Sequence, residues 1–546
     1  MNEVDTSATA RGMHDRRGLS FILFLGVLLS GGMGPTAAQS TSEQAGEFAF
    51  AHYEVVTGSA KRQTVLTGFL LGGASAELAV VDIDDGDERC LRIYEFGDGA
   101  WVPGADATLG PDVRFVDVAN IGGGDRLLTY DPGRLNWFDP ESATERALVA
   151  VTANFNPPRG GEVPHVDVSR DVNGDGRDDL VVPGVDGFWV FIQTSAAEFA
   201  DPVKIGRSTD LSRIYGADGY RYGPWDESRV HEMDYDLDGR RDLAFWNGDH
   251  FAVHHQDEDG LFSPVAETFT TDVTFDSDRL SSLAAGDMTG RVLHSIADLN
   301  GDSVADLVVF SLEGASISRK RSTYEVHLGA PAPGGGTRFA RGVDFAFQSD
   351  GRIQLGMNRR DFDGDGDLDV MFTTIEVAYL ESSLWKRLKG FMGDDIWLDL
   401  EFYSMTGGLP SNKPNAIRRM QLDGHPSVRE FGWVPLDIVL RGSTHQERRT
   451  QKRHLRAFNT TLLIGDVTGD GRSDLLIEET HRQLLVFAGV PGPELFARQP
   501  QRVAVAIPND EEYTWLVDLN RDGRQDLLLH HASTTEPHRV TMLIAR

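Results

Sequence analysis

The sequence predicts an all-β protein built as a β-propeller, and three observations carry that prediction. The first is an acidic string, D-x-[DNT]-x-D-[GS]-x-x-D, that occurs six times. The second is its setting: a short apolar strand enters each copy, and a strand rich in Val, Leu, Ile and Phe leaves it. The third is spacing: the copies that begin at Asp171, Asp234, Asp298 and Asp361 recur about every 63 residues. A unit of that size with about four short strands is a small sheet that cannot bury both faces alone. Packing such sheets radially around an axis covers both faces and leaves only short edges.

Residues 1–38 read as an export signal. Arg11, Arg16 and Arg17 precede an apolar run from Leu19 to Leu29, and small residues follow up to Ala38, after which cleavage is expected. The run is about half of what a bilayer-spanning helix needs. The Arg16–Arg17 pair resembles a twin-arginine signal, but Ser20 stands where an apolar residue belongs, so the general export route is expected. No cysteine lies near the cut, and no later stretch approaches spanning length. The mature chain is therefore expected in the periplasm or outside the cell, with no membrane span.

Charge narrows the partner. Lys and Arg number 52 against 84 Asp and Glu, a net charge of −32. Nucleic-acid binding is driven by bases that neutralise phosphates, so this balance argues against nucleic acid and favours cations. The hydrophobic fraction of 40% is that of a globular core. Cys90 is the one cysteine, so no intrachain disulfide forms; it reads as a small buried hydrophobe in a strand. An exported protein without disulfides needs another brace for its loops.

The acidic loops supply one. Positions 1, 3, 5, 7 and 9 are Asp171, Asn173, Asp175, Arg177 and Asp179 in the first copy, and Asp234, Asp236, Asp238, Arg240 and Asp242 in the second. They are Asp298, Asn300, Asp302, Val304 and Asp306 in the third, and Asp361, Asp363, Asp365, Asp367 and Asp369 in the fourth. The fifth has Asp466, Thr468, Asp470, Arg472 and Asp474; the sixth has Asp518, Asn520, Asp522, Arg524 and Asp526. Alternating acids converge when the chain curls, Gly at position 6 permits the bend, and the position 7 carbonyl can join them. Hard oxygen donors in a flexible cluster suit Ca²⁺, and none of these loops holds the His or Cys a transition metal prefers. About six Ca²⁺ sites are expected, weaker where Ser303 replaces Gly and where Thr468 replaces an acid. Three or four carboxylates in one bend without a cation would repel strongly.

An EF-hand would need Glu at position 12. That position is Val182, Phe245, Val309, Phe372, Ile477 and Leu529, so these loops close at Asp-9 and join strands. Decayed copies, expected to be empty, lie near Asp82 and at Asp117 with Asp125. Between Asp361 and Asp466 the interval lengthens, and residues 381–456 read as a partly helical insertion or long connection. Leu380, Leu384 and Leu388 form a helical stripe there. This stretch is richer in bases than the rest, notably around Arg448–Arg456, and Trp385, Trp397 and Trp433 could stack on sugars.

No G-x-S-x-G, H-E-x-x-H or phosphate-cradling Gly-Lys-Ser/Thr motif is present, which turns the reading away from an enzyme. The pairs His254–His255 and His530–His531 are expected to point one inward and one outward, not to act as metal pairs.

At these loops the sequence resembles the FG-GAP/VCBS repeat family, the repeats of the integrin α-chain N-terminal β-propeller. The segments HLGAPAP (327–333) and FAGVPGP (487–493) are similar to the family's namesake Gly-Ala-Pro segment. The resemblance covers roughly residues 110–545. It implies about seven blades, with eight as the alternative because of the insertion, Ca²⁺ in the loops between strands, and an extracellular or periplasmic setting. The expected function is a binding or adhesion scaffold for a protein or glycan. A lyase-like, polysaccharide-active enzyme on the same scaffold is the alternative.

Overall fold

The computed structural model describes residues 48–546 apart from 60–61, 98, 155–161, 196, 208–220, 223–224, 226–229, 279–288, 315–320, 350–351, 377–395, 423–461, 509–512 and 534. The export signal and the helical stripe of the insertion lie outside the described residues.

Eight blade sheets follow one another around the fold, and the four blade strands run in sequence order in all but the last. Blade 1 is Gln63–Gly68, Glu77–Ile83, Arg89–Gly97 and Ala100–Thr108. Blade 2 is Phe115–Asn120, Asp125–Asp131, Gly133–Asp139 and Thr144–Val151, extended by the short parallel strands His165–Val166 and Arg221–Tyr222. Blade 3 is Ser169–Arg170, Asp179–Gly184, Gly187–Phe191 and Val203–Ile205; blade 4 is His231–Met233, Asp242–Trp246, Phe251–His254 and Glu267–Phe269. Blade 5 is Gly290–Ala297, Asp306–Glu313, Arg321–His327 and Phe345–Gln348; blade 6 is Arg352–Arg360, Asp369–Glu376, Ile396–Tyr403 and Ala416–Leu422. Blade 7 is Leu462–Gly465, Asp474–Thr480, Gln483–Phe487 and Gln501–Ala504.

Blade 8 is assembled from both ends of the chain. Thr514–Val517, Asp526–His531 and His538–Ala545 supply three strands. Phe50–Gly58 adds the fourth, antiparallel to the last strand with Phe50 opposite Ala545 and Val55 opposite Val540. This pairing closes the ring and uses an edge that would otherwise lie open.

The core lies between the blades. Strand alternation sends neighbouring side chains to opposite faces. In blade 4, Leu243 and Phe245 pack toward blade 3, while Ala244 and Trp246 pack toward blade 5. Further clusters join blades 1 and 2, 2 and 3, 5 through 7, 7 and 8, and 8 and 1, so no interface in the circle lacks apolar filling. The second strands, covered on both sides, are buried from end to end in blades 3 and 4.

The blade number is eight, the alternative rather than the first expectation. Blades 1 and 2 lack the acidic string between their first two strands, so counting that string falls short of the sheets. The expected insertion is also corrected in part. Residues Ile396–Tyr403 and Ala416–Leu422 are the third and fourth strands of blade 6, Trp397 among them. Trp385, Trp433 and the basic run at 448–456 lie outside the described residues.

Candidate metal centre

All six acidic strings join the first strand of a blade to its second, in blades 3 through 8, and so lie at one end of the ring. Their backbone geometry repeats. Position 6 has positive φ in every loop, between 67° at Ser303 and 95° at Gly366. Position 4 does too: Gly174, Leu237, Gly301, Gly364, Gly469 and Arg521. Two left-handed residues, two apart, wind the chain into a tight cup.

The acids hold that cup by accepting backbone N–H groups. Asp-1 accepts from position 6: Gly176 at 2.9 Å on Asp171, and likewise Gly239, Ser303, Gly366, Gly471 and Gly523 on Asp234, Asp298, Asp361, Asp466 and Asp518. Asp-5 accepts from position 7 in all six, at 2.8 to 3.0 Å. Where position 7 is Arg177, Arg240 or Arg472, its side chain pairs with Asp-5 and reaches the carbonyl of Gln193, Gln256 or Gly489.

Asp-9 opens the second strand and is at most 1% exposed in every loop. One oxygen accepts from position 2 (Val172, Tyr235, Leu299, Phe362, Val467 and Leu519). The other accepts from the end of the third strand or the residues just after it (Gln193, Gln256, Gly329, Met405, Gly489 and Ala545). Burial pushes Asp179 and Asp369 up to about 7, and Asp306, Asp474 and Asp526 up to about 6; the N–H bonds oppose this and neighbouring acids add to it. Asp242 is raised by burial too.

Two loops bring three carboxylates within 4.8 Å of one another, Asp234 with Asp236 and Asp238, and Asp361 with Asp363 and Asp365. In the loops with Asn at position 3, the amide bonds Asp-5 instead, as Asn173 does to Asp175 at 3.2 Å, Asn300 to Asp302 and Asn520 to Asp522. Thr468 Oγ1 lies 3.4 Å from both Asp466 and Asp474.

The Gly of each Gly-Ala-Pro-like segment has a local reason. A Cβ on Gly329 would meet the Ala305 carbonyl oxygen at 2.1 Å, and one on Gly489 would meet that of Ser473 at 2.7 Å. The chain passes there against position 8 of the loop.

The decayed copies sit elsewhere than expected. Asp82 is the penultimate residue of blade 1's second strand and pairs with Arg92, and Asp84 caps the turn into the third strand, at the opposite end from the six loops. The true counterpart of Asp-9 in blade 1 is Glu77, which is buried and accepts from Leu71. Asp117 lies within a strand, fully buried, bonded to His165 at 2.7 Å and to Val168 and Ser169. Asp125 opens blade 2's second strand and accepts from Phe69. Sequence reasoning missed Glu77 because it searched for Asp; the apolar run ELAVVDI that begins with it was the available signal.

Cys90 is half-buried rather than buried, and burial, then the charges of Asp82 and Asp84, push its thiol up, away from reactivity. His254 and His530 are buried. His255 instead turns into the blade 4 loop, with Nδ1 3.3 Å from Asp242 and 3.6 Å from Asp236.

No family model matches the sequence, and no curated protein matches it. Solved structures match most of the chain at low identity. The Vibrio cholerae biofilm matrix protein Bap1 is 9% identical, with 90% of this chain and 89% of that chain covered and a TM-score of 0.33. The WD40 domain of SCAP from fission yeast is 10% identical, with 90% and 98% covered and a TM-score of 0.32. BBS1N, solved in complex with ARL6DN, is 9% identical, with 91% and 97% covered and a TM-score of 0.31. The eight-bladed fold rests on this chain's own strand pairing.

Proposed function

We propose that the protein is an exported, calcium-braced β-propeller that serves as a binding scaffold for a protein or glycan ligand. On this reading the chain is a divergent member of the FG-GAP/VCBS repeat family. The observation that carries the calcium reading is the sixfold recurrence of one cup, at one place in the blade, lined by oxygen donors. The side chains at positions 1, 3, 5 and 9 and the carbonyl at position 7 would hold the ion, and an all-oxygen set fits a hard cation. A divalent charge there would offset the repulsion that burial and neighbouring acids impose on Asp179 and Asp369.

Each site with a dissociation constant near 10⁻⁴ M in about 1 mM Ca²⁺ would add roughly 1.4 kcal/mol. Several together rival the stability of a whole domain. Among the described residues no helix is long and apolar enough to cross a membrane. The segments that join the blades are the natural recognition surface, since loops on a rigid frame carry binding.

Calorimetric titration of the purified protein with Ca²⁺ tests the brace, with about six equivalents expected. A glycan array probed with and without chelator tests the scaffold, with calcium-dependent retention of a defined glycan expected. Absence of calcium heat ends the first reading. Retention unchanged by chelator ends the link between brace and binding.

A further inference from the structure

We propose that the blade 4 loop carries a second kind of cation site, in which Asp236, Asp242 and His255 bind a borderline divalent ion of the Zn²⁺ class. The proposal rests on the reading of these loops as cation sites, but it needs its own ion and its own ligand.

The three donor atoms lie within 4.8 Å of one another. Nδ1 of His255 is 3.3 Å from Asp242 Oδ2 and 3.6 Å from Asp236 Oδ2. It is buried, yet it makes no hydrogen bond. Two anionic oxygens and a ring nitrogen facing one another need a positive species between them, a proton or a metal ion. The edge between ligands around a four-coordinate zinc, with bonds near 2.1 Å, is about 3.4 Å. The separations of His255 Nδ1 from the two carboxylate oxygens fall near that edge.

The ring is held as a ligand ring is held. Nε2 lies 3.0 Å from the carboxylate of Glu267, in the outermost strand of the blade. That contact puts the ring's N–H at Nε2 and leaves the lone pair of Nδ1 for the ion, the arrangement in which a carboxylate orients a metal-bound histidine. Tyr235 packs on the ring with centroids 5.8 Å apart. The Gln256 N–H, bound to Asp242, fixes the backbone one residue on.

The repeat provides an internal comparison. The residue before the N–H donor to Asp-9 is His255 here, and Ile192, Leu328, Ser404, Ala488 and Ile544 in the other five loops. Those five offer no nitrogen. Calcium has no use for imidazole, whereas zinc prefers it, so a histidine at this one register marks a different ion. Asp236 belongs also to the triad with Asp234 and Asp238, and Asp242 is position 9 of the same cup, so the two ions would lie side by side and share both carboxylates.

The test titrates the calcium-saturated protein with Zn²⁺ at neutral pH, with Co²⁺ as an optical probe of four-coordinate binding through nitrogen. One tight zinc equivalent is expected, together with the visible absorption of four-coordinate Co²⁺. His255→Ala should lose both, and Glu267→Gln should weaken zinc tenfold or more. An unchanged calcium isotherm shows that each variant folds, and His255→Gln, which keeps the side chain's bulk, replaces His255→Ala should that one fail to fold. Zinc stoichiometry and affinity unchanged by loss of His255, or no zinc bound at all, overturns the proposal. Calcium heat absent while His255-dependent zinc binding persists would instead sink the calcium reading and leave this site standing.

Discussion

The backbone N–H of Gln525 donates to the carbonyl oxygen of Asp466 at 2.7 Å, so position 8 of the blade 8 loop is tied to position 1 of the blade 7 loop. The same positions meet between other neighbours: Arg241 reaches the Asp171 carbonyl at 3.4 Å, and Ser473 Oγ reaches that of Asp361 at 3.3 Å. The cups of blades 3, 6 and 7 are therefore pinned by the next blade as well as by their own acids.

This link predicts coupling between loops. Stripping Ca²⁺ should raise amide hydrogen exchange at Gln525, and Asp466→Ala with Asp470→Ala should do the same while Ca²⁺ is present. Exchange at Gln525 that ignores the blade 7 loop would show that the bond transmits nothing.

Asp363→Ala with Asp365→Ala should lower the melting temperature in Ca²⁺ and leave it unchanged in chelator. The two variants remove donors from one cup of three carboxylates, and the loss should be about 1.4 kcal/mol in about 1 mM Ca²⁺. An equal drop in both conditions would assign these acids a role without metal.

Backbone geometry in the blade 5 loop predicts two changes of opposite sign. Ser303 holds φ of 67° where the other five loops have Gly, so Ser303→Gly should stabilise by about 1 kcal/mol. Gly329→Ala should destabilise by about 1–3 kcal/mol, because its Cβ would overlap the Ala305 carbonyl. Denaturant midpoints measure both.

Stability should depend on pH differently with and without metal. Asp179 and Asp369 at about 7, and Asp306, Asp474 and Asp526 at about 6, all lie above the ordinary 3.8. A carboxyl raised on folding favours the folded state while protonated; its contribution is full below 3.8 and lost as pH rises through about 6 to 7. In calcium-free buffer stability should therefore fall across that window, and Ca²⁺ should flatten the fall. His531 works the other way: burial lowers it to about 4, so its contribution is lost as pH falls from 6.5 through about 4. His531→Asn should remove that opposing slope. Urea unfolding at a series of pH values reads both effects.

The sequence by itself determined the strand class, the radial packing and the six cups, because each is written locally. Leu243 to Trp246 alternate between two cores, Asp-1 and Asp-5 accept N–H groups within five residues, and position 6 bends where Gly stands. The tertiary structure decided what depends on partners far along the chain. The eighth blade exists because Phe50–Gly58 pairs with His538–Ala545, and blades 1 and 2 carry no acidic string to count. Glu77 stands in for Asp-9 through its place at the head of a second strand, which a search for Asp passes over. His255 meets Asp236 and Asp242 only because a hairpin folds its third strand back beside the cup. Hydrogen bonds that close short loops are legible in spacing, whereas contacts across a sheet or around a ring are fixed by register, and register is set by the whole core.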